Sequence, residues 1–528
     1  MLASRQPQVA GRFCLPLGRP AGHEISPVVL AHRWRPGHPP FSYGVGERER
    51  EHSWPDLVPQ MAKSYVPSVD VEGILKEGRS NMVDNRKSLK LTRRGFLKVF
   101  GGGASGMALL GPCASAAKAA ATQAAAPAVL RGAKIHLLRF GSFMKSEDTW
   151  FAEVVKKEWA EPNRVTYTSE FVGTNDLQPK VAVALETGSG PDIMMMMWNW
   201  AHLYNAKLRD VSSIAEKQGS AGGGYYEWAT GFCKMPSGQW KAVPHSIGPY
   251  GICYRSAWLK EIGESKFPDT WQELRRVSKV MKEKKGLPYG LALGHSYGDP
   301  NSVFYPILWG FGGSEVDETG KKVVIYSKET LAAVEFGVQL FKDGLSNEMF
   351  SWDDSSNNRA YLASQIWATS NAASIYLTAV KDFPDVAKDT EHALLPQGPK
   401  GRFQANTGIA HAIPTYVKDP KPAEELLAWL SDPKVYSSFL DAAQAYSAAP
   451  VKAFESHPVW NKYPKLTVFK DVSSYRWPGY PGPASAASSL AYSKLIIVDM
   501  FAKAMKGEKP QDAVAWAEKE LKQIYPST

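Results

Sequence analysis

A regular alternation of strand and helix patterns, starting at Ala133, most constrains the fold of this chain. Ala133–Phe140, which reads AKIHLLRF, is predicted to be a strand, and the next segment carries apolar residues at helical spacing, with Ser146 as its expected N-cap. Arg164–Gly173 predicts a second strand, and DLQPKVAVALETG predicts a second helix that ends at Gly188. PDIMMMM completes a βαβαβ order, which predicts an α/β fold with an open parallel sheet.

The run from Ile193 to Met197 is apolar at every position. A strand that is covered by helices on both faces reads as a continuous apolar run, so these residues predict a buried central strand. Successive side chains of a strand point to opposite faces, so four consecutive methionines cannot converge on a metal ion. We therefore expect them to fill the core, where methionine packs adaptably, and we expect no metal site.

Chain length and charge limit the class of protein to which this chain can belong. A chain of 528 residues exceeds a single hydrophobic core, and 44% hydrophobic and 22% charged residues are typical of a globular protein. The formal charge is +10, but residues 1–116 hold 16 of the 62 Lys and Arg and 9 of the 52 Asp and Glu, which leaves 46 basic and 43 acidic residues in the body. A nearly balanced body without a basic stripe argues against a nucleic-acid partner.

The segment NRKSLKLTRRGFLKVFGGGASGMALLGPCASAAKAAA has the order of a targeting signal. A basic stretch ending in Arg93 and Arg94 precedes a short, glycine-diluted apolar stretch, and TRRGFLK resembles the pattern of a twin-arginine export signal. About 13 apolar residues fall short of the roughly 20 that a membrane span needs. We therefore expect residues 82–116 to be a signal for the twin-arginine export machinery, residues 117–132 to be an Ala-rich linker, and the body to be periplasmic.

Residues 1–81 are rich in Pro, Arg and His without sustained periodicity. We expect them either to be disordered or to precede the true translation start at Met82. Cys113 lies near a lipoprotein-like position, but Pro112 replaces the small residue typical there, so lipid anchoring is not favoured. Cys233 and Cys253 in the body predict either one disulfide or two buried thiols, and two cysteines make no closed zinc site.

Several segments of the body, taken in order, resemble one family. The resemblance is carried by ETGSGPDI, VPHSIGPYGICYR, FPDTWQELRRVSKVMK, WGFGGSEVDETGKKVVIYS, NNRAYLASQIWATSNAA and LLPQGPKG, and it spans Ala133 to Tyr525. These segments are similar to those of extracellular solute-binding proteins of family 1, the substrate-capturing components of ABC importers. The resemblance implies a periplasmic-binding-protein type II fold, with two α/β lobes, a hinge and a ligand cleft between them. The implied lobes are residues 133–247 plus 396–432 and residues 248–395 plus 433–528.

The expected ligand site lies beyond the third strand. Ligands of open parallel sheets bind beyond the carboxyl ends of strands, and Trp198, Asn199, Trp200 and His202 follow PDIMMMM directly. An indole combines a flat apolar face with an N–H donor, which suits a sugar ring with its C–H faces and hydroxyl edges. WAH resembles a motif of the maltose-binding branch of the family, in which an acid follows. Leu203 stands at that place, so we expect a carbohydrate or polyol other than a maltodextrin.

The resemblance also implies further ligand-binding residues, at strand ends, in the first crossing segment and in later loops: Ser142, Phe143, Asn175, Asp176, Tyr250, His295, Asn301, Asn371, Trp477 and Tyr480. It implies ABC permease subunits with an associated ATPase as partners. The alternatives are a binding protein for a small cationic solute such as a polyamine, and an exported glycoside hydrolase. Asp353-Asp354 is expected in a polar loop, and no GxSxG, HExxH, P-loop or CxxC occurs in a supporting context, so we expect neither an enzyme nor a cofactor.

Overall fold

The predicted alternation of strands and helices forms the first part of the described structure. The computed structural model describes residues 130–405 and 407–525, all of which belong to one compact unit. Strand β1 (Lys134–Phe140) pairs in parallel with β2 (Thr166–Val172) on one side and with β3 (Ile193–Met197) on the other. The predicted βαβαβ order is therefore confirmed.

The sheet is mixed rather than wholly parallel. Strand β9 (Gly408–Ala412) pairs antiparallel with β3, and β4 (Val243–Ile247) pairs antiparallel with β9, which gives the order β2-β1-β3-β9-β4. Every residue of β3 is buried, so the methionine run is confirmed as core. Because one neighbour of β3 is antiparallel, burial of both faces explains the continuous apolar run, and strand direction does not.

A second sheet of four strands has the order β6-β7-β5-β8. Its strands are β5 (Gly251–Arg255), β6 (Tyr289–Gly290), β7 (Ala368–Asn371) and β8 (Thr390–Ala393). Strand β5 is antiparallel to both β7 and β8, whereas β6 is parallel to β7. The chain passes from the first sheet to the second through residues 248–250 and returns through residues 394–407.

Helix α1 connects β1 to β2 and changes its winding along its length. It consists of an α-helical start, Lys145–Thr149, a π-helical stretch, Trp150–Ala160, and a last turn, Glu161–Asn163. The expected N-cap at Ser146 is wrong, because the cap position is Met144 and the helix begins before Ser146. Ser146 Oγ instead donates to the carbonyl oxygen of Ala442 at 2.6 Å, a tertiary contact that the local sequence does not indicate.

Three other helix ends follow their sequence signals. Helix α2 (Thr174–Thr187) ends at Gly188, whose φ of 65° is in the left-handed region that favours glycine. Thr270 forms a capping box with Glu273 at the start of α7 (Trp271–Lys285), and Ser327 caps α9 (Lys328–Gly344). Local hydrogen bonds therefore decide these boundaries.

The remaining helices are α3 (Trp200–Leu203), α4 (Ser212–Ala221), α5 (Glu227–Cys233), α6 (Ser256–Glu261), α7 (Trp271–Lys285), α8 (Asp299–Phe311), α9 (Lys328–Gly344), α10 (Ser356–Leu362), α11 (Ser374–Asp382), α12 (Pro384–Asp389), α13 (Lys421–Leu430), α14 (Pro433–Ala443), α15 (Val459–Lys462), α16 (Ala486–Ser493), α17 (Ile496–Met505) and α18 (Pro510–Ile524). Helix α14 packs on the first sheet, where the Phe439 ring lies 5.4 Å from Trp150 and 4.5 Å from His245. Among the described residues, no helix has the length and apolarity that a bilayer span requires.

Several expectations fall outside the described residues. They are the disordered or misassigned residues 1–81, the signal 82–116 with Cys113, and all but the last three residues of the linker 117–132. Within the description, Cys233 and Cys253 are both buried free thiols, so two buried thiols rather than one disulfide are observed.

Candidate functional site

A cavity opens where strand ends of the two sheets face each other. The residues that line it are Phe140, Phe143, Thr174, Met197, Gly248, Tyr250, Gly298, Asp299, Asp354, Asn358, Asn371, Ala372, Ser374, Thr407, Ile409, Tyr446 and Ser447. Phe140 and Met197 end the parallel strands β1 and β3, and Asn371 ends β7. The space between these residues, measured out to its open mouth, is about 640 Å³. Its place beyond the carboxyl ends of parallel strands is where open α/β sheets bind ligands.

Aromatic rings form part of the cavity wall. Phe143, in the loop after β1, is 42% exposed, whereas Tyr250 and Tyr446 are buried. Burial raises the pKa of both tyrosines, so their phenols stay protonated at neutral pH. The wall therefore offers one accessible apolar face, at Phe143, and two neutral hydroxyl groups.

Asp299, the first residue of α8, brings a buried carboxyl to the cavity. Its Oδ2 accepts hydrogen bonds from Nδ2 of Asn357 at 2.6 Å and from Nδ2 of Asn371 at 3.4 Å. Burial raises the pKa of this carboxyl well above its ordinary range, and the charge of Asp354 raises it further. The site thus holds an acid that is costly to ionise without a ligand.

Asp354 is the second carboxyl of the wall and is partly exposed. Its oxygens accept hydrogen bonds from Ser296 Oγ at 2.7 Å and from the backbone N–H groups of Gly298 at 3.1 Å and Asp299 at 2.8 Å. Burial raises the pKa of Asp354, and these hydrogen bonds oppose that shift. Asp354 therefore satisfies the first N–H groups of α8 and holds Asp299 at the cavity.

An amide network orients the polar side of the wall. Asn371 Nδ2 donates to Asn358 Oδ1 at 2.6 Å, and Asn371 Oδ1 accepts from Ser374 Oγ at 3.3 Å. All three residues line the cavity. Side chains held by each other in this way present donors and acceptors at fixed positions, which favours recognition of a hydroxyl-rich ligand.

A buried carboxyl behind the wall, that of Glu147, connects two cavity-lining segments. It accepts hydrogen bonds from Ser142 Oγ at 2.8 Å and from Ser447 Oγ at 2.7 Å. The Ser142 backbone N–H also donates to Asp148 Oδ1 at 2.8 Å. These bonds fix Ser447 on the wall together with the loop that presents Phe143.

Comparison with known proteins identifies the family. The sequence profile described as bacterial extracellular solute-binding protein matches residues 144–436, more than half of the chain. The chain belongs to the bacterial extracellular solute-binding protein family. Members of this family are extracytoplasmic proteins that bind a substrate rather than convert it, and the resemblance seen in the sequence is confirmed. No curated protein sequence matches this solute-binding protein significantly.

Solved structures share its fold. The GacH receptor of Streptomyces glaucescens GLA.O, solved without ligand and with acarbose, is 19% identical at a TM-score of 0.63, over 75% of this chain and 98% of that one. Maltose-bound MalE3 of T. maritima is 19% identical at a TM-score of 0.61, over 74% and 100%. A solute-binding protein of Agrobacterium radiobacter K84 in complex with ribitol is 17% identical at a TM-score of 0.62, over 75% and 100%. The predicted periplasmic-binding-protein fold is therefore confirmed.

Phe143, Tyr250 and Asn371, all predicted as ligand-binding residues, line the cavity of this solute-binding protein. Ser142 lies beside Phe143 and is held by Glu147. Asn175 and Asp176 are exposed in the first turn of α2, from which Thr174 reaches the cavity instead. The structure thus brings together part of the predicted set, and a ligand contact for each of these residues stays a prediction.

The tryptophans after β3 are buried and do not line the cavity. The Trp198 ring lies 5.8 Å from Trp200, 6.0 Å from Tyr297 and 4.9 Å from Tyr492. Trp200 is 1% exposed, and its Nε1 is buried without a hydrogen-bond partner in the described chain. A ligand could contact either ring only if the covering residues moved, so their predicted role as a sugar platform stays a prediction.

Asn199 and His202, which belong to the same segment, are buried in polar contacts. Asn199 Nδ2 donates to the carbonyl oxygen of Pro478 at 2.9 Å and to Ser488 Oγ at 2.8 Å. His202 Nε2 lies 2.8 Å from the carbonyl oxygen of Gly231, and burial lowers the pKa of this imidazole. Each of these two side chains therefore joins the segment after β3 to a distant part of the chain.

The last four predicted residues also lie outside the cavity wall. His295 Nε2 is 2.9 Å from Asp499 Oδ1, and Asn301 is buried in α8. The Trp477 and Tyr480 rings pack edge to face with centroids 5.7 Å apart. Trp477 is buried, and its Nε1 donates to a backbone carbonyl oxygen.

Sequence reasoning missed most of the polar lining. Asp299 lies between His295 and Asn301, and its position before Pro300 at a helix start is the one local signal that marks it. Asp354, expected in a polar loop, accepts a hydrogen bond from the backbone N–H of Asp299, which is 55 residues away in the sequence. No local pattern reveals a contact of that separation.

Proposed function

We propose that this solute-binding protein captures a carbohydrate or polyol in the cavity between its two sheets and delivers it to an ABC permease with an associated ATPase. The observation that carries the proposal is the composition of the cavity wall, which combines the exposed Phe143 ring with a network of amides, hydroxyls and carboxyls. Sugars and polyols combine C–H faces with many hydroxyl groups, and such a wall is complementary to both. Family membership supports the importer role.

The relatives of the same fold support this ligand class. The solved structures of these relatives hold acarbose, maltose and ribitol as bound ligands. A polyamine-like solute or a glycoside hydrolase is not favoured by these comparisons. We propose that the protein performs no chemical step on its ligand, in keeping with a family of binding proteins.

Capture is proposed to proceed by closure of two lobes about a hinge. The strands of the first sheet come from residues 134–247 and 408–412, and those of the second from residues 251–393. The connections at 248–250 and 394–407 are the proposed hinge segments, and the packing of α14 on the first sheet favours extending the first lobe to Ala443. Crystals with and without ligand should differ by a rotation about these connections.

A thermal-shift panel of sugars, polyols, polyamines and peptides on the full chain tests the ligand class. A ligand present at 100 times its Kd stabilises a protein by about 2.7 kcal/mol. We expect a sugar or polyol to raise the Tm, and we expect Phe143→Ala to weaken its binding roughly three- to tenfold by removing the exposed ring. A panel in which amines or peptides raise the Tm and no sugar or polyol does contradicts the proposal.

Phe383→Ala is the matched control for Phe143→Ala. Phe383 has the same exposed fraction, 42%, but lies at the end of α11 and does not line the cavity. It should therefore leave the Kd of the same sugar or polyol unchanged. Equal weakening by both substitutions shows that the cavity is not the binding site.

Export to the periplasm is proposed to use the twin-arginine machinery. The TRRGFLK segment supports this proposal. Replacing Arg93 and Arg94 together by lysine should leave the protein in the cytoplasm, because the receptor reads the arginine pair. Fractionation that finds this variant still exported rules the twin-arginine route out.

A further inference from the structure

The two carboxyls of the cavity wall face it without a basic partner. No Lys, Arg or His is among the described residues that line the cavity. Asp299 accepts its hydrogen bonds from neutral side-chain amides, and Asp354 accepts from a hydroxyl and two backbone N–H groups. A buried carboxyl such as that of Asp299 ionises readily only beside a cation, and the described residues that line the cavity supply none.

Other carboxyls near the cavity do have a basic neighbour. Asp148 pairs with Lys145 at 3.0 Å, and the Arg139 guanidinium acts electrostatically on Glu147. No ion pair of Asp299 or Asp354 occurs within the described part of the chain. The missing positive charge is therefore specific to the α8 side of the cavity.

Carboxyl groups from both sides of the cavity act on Tyr446. Burial raises the pKa of its phenol, and the charges of Glu147, Asp299, Asp148 and Asp354 raise it further. Glu147 and Asp148 belong to α1, whereas Asp299 starts α8 and Asp354 precedes α10. Four carboxyls are thus close enough to act electrostatically on a group bound at this wall.

Tyr250 supplies a second indication of a ligand at the same wall. It is 1% exposed, it lines the cavity, and its Oη is buried without a hydrogen-bond partner in the described chain. The Asp299 carboxyl interacts with this phenol and raises its pKa beyond the effect of burial, although the contact between them does not meet ordinary hydrogen-bond geometry. A buried hydroxyl without a partner is costly, and a bound ligand would satisfy it.

We propose that the bound carbohydrate or polyol carries a protonated amino group that pairs with Asp299, while Tyr250 Oη hydrogen-bonds a neighbouring hydroxyl of the same ligand. An amino sugar or an aminoalditol has this chemistry. The ammonium supplies the countercharge that the wall lacks, and the remaining hydroxyls meet Asn358, Asn371 and Ser374. The inference rests on the proposed function and names a class within it.

Matched pairs of probes on the full chain test this inference. The pairs are glucosamine with glucose, galactosamine with galactose, and 1-amino-1-deoxysorbitol with sorbitol, with putrescine and spermidine as amines that lack a sugar. Calorimetric titration is done at about pH 6.5, below the ordinary pKa of an amine. We expect the amino member of at least one pair to bind about tenfold or more tightly than its neutral partner, as a charge-assisted hydrogen bond provides.

Asp299→Asn tests the residue, because it removes the charge and keeps the size of the side chain. We expect the variant to bind both members of the preferred pair with similar Kd. Asp353→Asn is the matched control, since Asp353 is exposed, neighbours Asp354 in the chain and does not line the cavity. The control should keep the amine preference, and thermal unfolding verifies that both variants are folded.

The possible results distinguish a failure of the amine inference from a failure of the proposed function. Neutral members that bind as tightly as their amino partners overturn the amine inference and leave the proposed function standing. Binding of putrescine or spermidine without any sugar or polyol overturns both, and so does binding of none of the probes. An amine preference that survives Asp299→Asn overturns the assignment to Asp299.

Discussion

Asp299 combines a role in the site with a cost to the fold. Its carboxyl is buried, its hydrogen bonds come from neutral amides, and burial raises its pKa well above the ordinary range of an aspartate. A carboxyl with a raised pKa in the folded chain favours folding when it is protonated. That contribution is fully present below the unfolded pKa and is lost as the pH rises through the folded pKa.

Replacing Asp299 by asparagine should therefore stabilise the ligand-free protein in a pH-dependent way. Asparagine does not ionise, so the Tm of Asp299→Asn should exceed that of the wild type at pH 7, and the difference should shrink toward about pH 4. Thermal unfolding of both proteins across this range measures the effect. A difference that is constant with pH, or that grows toward acid pH, shows that the pKa of Asp299 is not raised in the folded protein.

Individual site residues differ in how far sequence can reveal them. Phe143, Tyr250 and Asn371 follow strands or crossings that the family resemblance located, and the structure places them on one wall. Asp299 and Asp354 are 55 residues apart in the sequence. They are joined because the Asp354 carboxyl accepts a hydrogen bond from the backbone N–H of Asp299 at the start of α8. Sequence indicates a helix start, but it does not indicate which distant carboxyl satisfies it.

At the scale of elements, the hydrophobic pattern predicted β1, β2 and β3 of the first sheet, and a glycine signal predicted the end of α2 at Gly188, because these depend on local contacts. The orientation of the Trp198 and Trp200 side chains could not be predicted from these local patterns. Trp198 adopts a φ of 47°, and Trp200 begins α3 directly afterwards. The strand periodicity that would place both rings toward a ligand ends at Met197, and the turn directs them into packed contacts.

Trp200→Ala should therefore affect stability first. Removing a buried indole typically costs about 3–5 kcal/mol of unfolding free energy, and Trp200 is 1% exposed. Trp516→Ala, at a partly buried indole on α18, is the control and should cost less. Denaturant unfolding measures both. Loss of sugar binding by Trp200→Ala with an unchanged unfolding free energy would instead identify this ring as a ligand platform.

At the scale of the whole molecule, two mixed sheets share one cavity, and neither sheet forms it alone. The first sheet contributes the ends of β1 and β3, and the second contributes Asn371 at the end of β7. Helix α8 adds a buried carboxyl, and the segment after α14 adds Tyr446 and Ser447. A ligand that contacts all of these groups holds the two halves of the fold together, which is the physical basis of capture by closure.

The most direct test of this account is a pair of crystal structures of the protein, one without ligand and one with the sugar, amino sugar or polyol that raises the Tm most. We predict that the ligand lies in the cavity with its ring or carbon chain against Phe143 and its polar groups on Asn371 and Asp299, and that the two sheets are closer together than in the ligand-free crystal. A ligand found outside this cavity, such as on the Trp198 and Trp200 rings, would contradict it.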